Sequence, residues 1–123
     1  MTPPLQFVAH PGAGRGAFAR VWPAMATALA AADLEHEVLL TTRPNEAADL
    51  AREAARSGAR LVVAVGGDGT LHEVVNGLLT ADLPAEARPA LGLVPAGRGS
   101  DYARGLQLPR EAPAIVARLA ACL

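Results

Sequence analysis

The sequence predicts an α/β domain, a three-layer αβα sandwich with a mostly parallel sheet at its centre. Three observations lead there. Short apolar runs alternate with longer segments of helical period along the whole chain. The apolar runs lack the in–out polar alternation of half-exposed strands, which predicts burial on both faces. Glycine-rich segments follow the strand-like runs, at the sheet edge where ligands of such folds bind.

Taken in order, Leu5–Ala9 reads as the first strand. Phe18, Val21, Trp22, Met25 and Leu29 then recur at the spacing of one helix face. Glu37–Thr41 reads as the second strand, and the alanine-rich stretch of about Glu46–Ser57 as a helix ended by Gly58, a natural C-cap. Leu61–Val65 is the third strand. Leu71, Val74, Val75, Leu78 and Leu79 lie on one face of a helix that starts near Leu71. A polar loop, Thr80–Pro89, leads to the fourth strand, Ala90–Val94. After Pro109, the spacing of Ala112, Ile115, Val116 and Leu119 marks a last amphipathic helix. Alternating β and α elements imply right-handed crossovers and a sheet covered on both sides.

With 123 residues, 51% of them hydrophobic, the chain is long enough for one globular core and no more than one domain. A formal net charge of −1 argues against a nucleic-acid binder, which would carry a basic stripe. All eleven basic residues are arginines, which excludes a P-loop of the kind that needs a lysine. One cysteine, Cys122, permits neither an internal disulfide nor a cysteine metal site, and a cytoplasmic setting is expected. Cys122 and Trp22 read as packing residues, His36 as an ordinary surface residue. Met1–Gln6 lacks the basic and apolar regions of a secretory signal. No stretch reaches the roughly 18 apolar residues of a membrane span, so contact with lipid is expected at the membrane periphery. The chain stops soon after its last helix, which suggests a fragment or a first domain.

Three glycine-rich segments carry the chemistry. In Val65–Thr70, three glycines surround one carboxylate directly after a strand. Glycine allows backbone N–H groups to approach phosphate closely. Asp68 can hold Mg²⁺ through water or orient a hydroxyl, and Thr70 can cap the helix and donate to phosphate. A plain turn would explain Asp68 and Gly69, but needs one glycine rather than three. His72, Glu73 and Asn76 lie opposite the apolar stripe; His72 reads as solvated, while Glu73 and Asn76 face either the site or water.

His10–Gly16 places flexible amides at a helix start, where an anion is favoured, and Arg15 can add a charge-assisted contact. Gly12, Gly14 and Ala17 also fit a dinucleotide fingerprint. Against a dehydrogenase, the second strand ends in Thr41 and Thr42 rather than a ribose-binding acid; Arg43 keeps an NADP reading open. A tight turn without ligand is the remaining alternative. Pro95–Arg104 combines Gly97, Arg98, Gly99, Ser100, Asp101 and Arg104. There Asp101 can join Asp68 in a metal–water network, or simply pair with Arg104 at a helix start.

Together these residues resemble the N-terminal domain of the diacylglycerol kinase-like lipid kinases, relatives of the sphingosine kinases and, more distantly, of NAD kinases and phosphofructokinases. The resemblance runs nearly end to end. The family's Asn-Pro-x-x-Gly loop looks like His10–Gly14. Its Gly-Gly-Asp-Gly-Thr block and following helix match Gly66–Thr70 and Leu71–Leu78. Its Pro-x-Gly-Thr-x-Asn-Asp block, ending in Ala-Arg, resembles Pro95–Arg104. Three positions depart from the pattern: His10 and Ser100 stand for asparagines, and Arg98 for a threonine.

The resemblance implies a Rossmann-like, ATP-dependent kinase domain over residues 1–123, transferring the γ-phosphoryl group to the hydroxyl of diacylglycerol or a related lipid at the membrane surface. It implies ATP contacts from Pro11, Gly12, Gly14, Arg15, Thr42, Gly66, Gly67, Gly69, Thr70, Glu73, Gly97 and Arg98. Asp68 would act in catalysis and, with Asp101, organise Mg²⁺ through water. The family's second, β-rich domain, which supplies the general base and much of the lipid site, is absent from this sequence, so the isolated chain is expected to bind nucleotide without turnover. A non-catalytic nucleotide-binding role on the same fold, an NAD(P) oxidoreductase and self-association into a homodimer are the alternatives left open.

Overall fold

The computed structural model describes residues 2–12, 15–96 and 109–123. Gly14, Gly97, Arg98, Gly99, Ser100, Asp101 and Arg104, singled out above, lie outside the described residues. The element order is β1 (Leu5–Ala9), α1 (Ala17–Ala31), β2 (His36–Leu40), α2 (Glu46–Arg56), β3 (Leu61–Gly66), α3 (Asp68–Leu79), a short 3₁₀ turn (Ala85–Ala87), β4 (Ala90–Pro95) and α4 (Ala112–Ala121). The four strands form one parallel sheet in the order β2-β1-β3-β4.

Parallel pairing buries the two inner strands, and every residue of Leu5–Ala9 and Leu61–Val65 is buried. Side chains alternate between two cores. Leu5, Phe7, Ala9, Leu61, Val63 and Val65 pack against α1 and α4, while Val8, Val62 and Ala64 pack against α2 and α3. Gln6 is also fully buried in β1, where its Nε2 donates to the Pro3 carbonyl at 2.9 Å. That bond removes the penalty of burying an amide.

Several expectations need correction. Burial on both faces holds for β1 and β3 but not for β2 and β4, which are the sheet edges and stay partly exposed. β2 runs from His36 to Leu40, not from Glu37 to Thr41. Leu79 completes the apolar period of α3 yet is 60% exposed, because it lies on the helix flank opposite Gly77, the residue that meets α2. His36 is not a plain surface residue: its ring meets Phe7 edge-on at 5.8 Å and borders Trp22 at 6.4 Å. Trp22 itself packs on Phe7 and stacks with Phe18. Cys122 is exposed beyond the end of α4 rather than packed.

α2 and α3 lie unusually close because the facing residues are small. Ala47, Ala51, Ala54 and Ala55 are buried on α2. Gly77 on α3 sits so near that a β-carbon there would lie 2.2 Å from the Ala48 carbonyl oxygen. Arg52 then spans the pair, with Nε and Nη2 donating to Thr80 Oγ1 at 3.1 and 2.9 Å. α2 ends as expected, with Gly58 in the left-handed region at φ +96°. This packing fixes where the N-terminus of α3 stands over the sheet.

Candidate functional site

The strand order places a topological switch point between β1 and β3: the chain leaves β1 toward one edge of the sheet and β3 toward the other. In register, Ala9 is beside both Leu40 and Val65, and Gly66 is beside Pro95. The C-terminal ends of all four strands therefore stand side by side on one edge, about 5 Å apart per strand. The structure thus brings together the described positions of three loops: His10–Gly12 with Arg15, Thr41–Arg43 and Gly66–Thr70.

β3 is one residue longer than expected, and α3 begins at Asp68 rather than near Leu71. Asp68, Gly69 and Thr70 are consequently the first turn of a helix, not a loop before it. Gly67 caps the helix with extended backbone and no side-chain bond, so Thr70 is not the cap. Thr70 is instead buried, and its hydroxyl folds back over Gly66. Gly66 has φ +156°, and a β-carbon there would lie 2.8 Å from Thr70 Oγ1. Its carbonyl accepts the Ala96 N–H at 3.1 Å. Only glycine meets both demands at this position.

Gly69 has a different character. A β-carbon added there would meet nothing within 4 Å. Glycine in a helix costs about 1 kcal/mol relative to alanine, and no packing need offsets it here. What it does, among the described residues, is leave space beside the first turn of α3. Gly12 is equally open. Asp68 is half-buried, with Oδ1 shielded from solvent, and Glu73 is half-buried one turn further on; His72 and Asn76 are exposed.

Across the switch point, Pro11, Gly12 and Arg15 are exposed. Arg15 and Gly16 both take left-handed backbone, at φ +53° and +81°, and the Arg15 carbonyl accepts Arg20 Nη1 at 2.7 Å. His10 Nδ1 and Thr41 Oγ1 share a hydrogen bond, tying the first loop to the end of β2. The second loop holds a carboxylate that the sequence reasoning missed. Glu46, in the first turn of α2, accepts the Thr42 N–H at 2.6 Å and the Thr42 hydroxyl at 3.1 Å, and Arg43 lies 4.0 Å away. The Thr42 backbone bond lowers the pKa of Glu46 most, against a smaller opposing effect of burial. The signal was an acid at the start of a helix just after a strand. Thr42 is therefore already engaged by Glu46.

Among the described residues, no group of three or more His, Cys, Asp or Glu side chains gathers to hold a metal, and no helix is long and apolar enough to cross a membrane.

The chain matches the model of the diacylglycerol kinase catalytic domain over residues 4–122. It belongs to that family. It is 38% identical over 106 residues to a diacylglycerol kinase of Bacillus subtilis (strain 168), covering 86% of this chain and 34% of the relative. To a diacylglycerol kinase of Staphylococcus haemolyticus it is 36% identical over 106 residues, covering 86% and 31%. A crystal structure of a diacylglycerol kinase from Bacillus anthracis superposes with a TM-score of 0.75 at 32% identity, over 93% of this chain and 39% of that one. The chain therefore spans about a third of the length of the curated relatives it matches, and corresponds to their N-terminal part.

Proposed function

We propose that this chain is the nucleotide-binding part of an ATP-dependent kinase whose acceptor is a lipid hydroxyl. The observation that carries the reading is the first turn of α3, where the described residues leave space beside Gly69 next to Asp68, set at the switch point between β1 and β3 in a diacylglycerol kinase catalytic domain. A helix N-terminus with glycine-lined access favours phosphate through its free N–H groups and its dipole.

The donor set is compatible with Mg²⁺. That ion keeps several waters and needs only one or two carboxylates beside the substrate phosphates, which Asp68 and Asp101 would supply. ATP provides the transferable phosphoryl group, and Mg²⁺ offsets its charge. The chain's own contribution is positioning. Amides of the Gly12 and Gly66–Thr70 segments would cradle phosphate oxygens, Arg15, Gly14, Gly97 and Arg98 would border them, and Asp68 would orient metal-bound water. Glu73 stands one turn behind. No covalent protein intermediate is required.

Titration calorimetry of the chain with ATP–Mg²⁺, ADP and NADPH tests this. Saturable binding of ATP–Mg²⁺ is expected, and Asp68→Ala should remove most of the Mg²⁺-dependent gain, about tenfold in affinity or 1.4 kcal/mol. Saturable binding of NADPH without ATP would overturn the kinase reading. Unchanged Mg²⁺ dependence in Asp68→Ala would remove Asp68 from its role.

A further inference from the structure

α2 and α3 both start with an acid at the sheet edge described above, but the two acids stand in different settings. Asp68 lies between Gly67 and Gly69. Glu46 instead takes up the donors of the turn before it: the Thr42 N–H and hydroxyl both donate to its Oε1, at 2.6 and 3.1 Å. With its proton committed there, the exposed Thr42 hydroxyl offers a ligand only lone pairs. The end of β2 therefore presents a pair of hydrogen-bond acceptors, Thr42 Oγ1 and the Glu46 carboxylate. We propose that this pair reads a hydrogen-bond donor on the nucleoside half of the bound nucleotide, an amine of the base or a hydroxyl of the ribose, while the phosphates lie toward α3; this rests on the kinase reading above.

Spacing and charge set this orientation. In register, Ala9 stands between Leu40 and Val65, so the ends of β2 and β3 are about 10 Å apart. That is the scale of an extended nucleotide from its outer phosphates to its sugar and base. The hydrogen bond shared by His10 and Thr41 fixes the β2 end against the first glycine-rich loop. The Thr42 N–H bond lowers the pKa of Glu46, which stands as an anion at neutral pH and repels phosphate. A donor suits it instead. The same anion weighs against a 2′-phosphate, because Arg43, the cation that would receive one, already lies 4.0 Å from Glu46 Oε2. β2 carries no acid for a nucleoside at its own end, and the helix after it supplies one.

The test is titration calorimetry of the chain, with Mg²⁺, against ATP, 2′-deoxy-ATP, 3′-deoxy-ATP and ITP, which lacks the base amine. ATP should bind about tenfold tighter than at least one analogue, the worth of one hydrogen bond to a charged group. Weak binding of ITP assigns the amine as the donor, and weak binding of a deoxy analogue assigns the missing hydroxyl. Glu46→Ala should bring that preference to within about twofold. Glu46→Gln still accepts from Thr42 but turns a donor toward the ligand, so it should lose the preference as well while keeping the turn. In both variants the gain that Mg²⁺ gives to ATP affinity, which reads the phosphate end, should stay within about twofold of the parent. Asp68→Ala should do the reverse, losing that gain and keeping the preference. A parent chain that binds ATP and all three analogues alike, a preference that survives both Glu46 variants, or loss of the Mg²⁺ gain in both would overturn the inference and leave the kinase reading standing. Failure of the parent chain to bind ATP–Mg²⁺ refutes that reading and this inference with it.

Discussion

Gly77→Ala should destabilise the fold even though alanine is the better helix former. A β-carbon at Gly77 would stand 2.2 Å from the Ala48 carbonyl oxygen and 2.9 Å from the Ala51 side chain. The nearer obstacle is backbone, so no rotamer change relieves it, and α2 and α3 must separate by about 1 Å to restore ordinary contact. Alanine gains about 1 kcal/mol of helix propensity. Overpacking a closed interface costs about 3 kcal/mol. The difference is a net loss of about 2 kcal/mol, which for a domain of this size lowers Tm by about 8 °C. Thermal and urea unfolding followed by far-UV circular dichroism measures it. A Gly77→Ala chain that melts at or above the parent temperature would refute the close helix approach and the placement of α3 that depends on it.

Gly69→Ala, in the same helix, should behave oppositely: with nothing within 4 Å it should keep or raise Tm, by up to about 1 kcal/mol of stability, yet weaken ATP–Mg²⁺ about tenfold. Equal affinity in calorimetry would remove Gly69 from the phosphate path. Glu46 has a lowered pKa in the fold, so its bonds to Thr42 stabilise above the ordinary glutamate value of about 4.5 and are lost as pH falls through the lower folded value. The Tm difference between the parent chain and Glu46→Gln should therefore be positive at pH 7 and close on acidification; a difference that does not vary with pH would contradict the bond. Gly66→Ala should be poorly tolerated, since φ is +156° and the methyl meets Thr70; a Tm within 2 °C of the parent would contradict that geometry.

The inner strands were legible because parallel burial erases alternation, and Leu5–Ala9 and Leu61–Val65 show it without ambiguity. The same rule failed at β2 and β4, since an edge position is a property of topology and not of local sequence. His36 and Leu79 failed for a related reason: whether a residue at a sheet margin or on a helix flank is covered depends on what packs there. At the candidate site, glycine spacing located the turn after β3, but two kinds of glycine were indistinguishable in the sequence. Gly66 answers a steric demand from Thr70, whereas Gly69 answers none. Gly77 looked like part of a helix motif, and its contact with Ala48 is visible only once α2 is in place. Glu46 was missed because its partner, the Thr42 N–H, is presented by loop geometry rather than by spacing.

The central claim is that nucleotide phosphates sit at the switch point between β1 and β3. Backbone-amide NMR of the chain titrated with ATP–Mg²⁺ tests it most directly. The largest shifts should fall on Gly12, Gly67, Asp68, Gly69 and Thr70. Shifts confined to Thr42–Glu46 at the end of β2, with the Gly66–Thr70 amides unmoved, would contradict it.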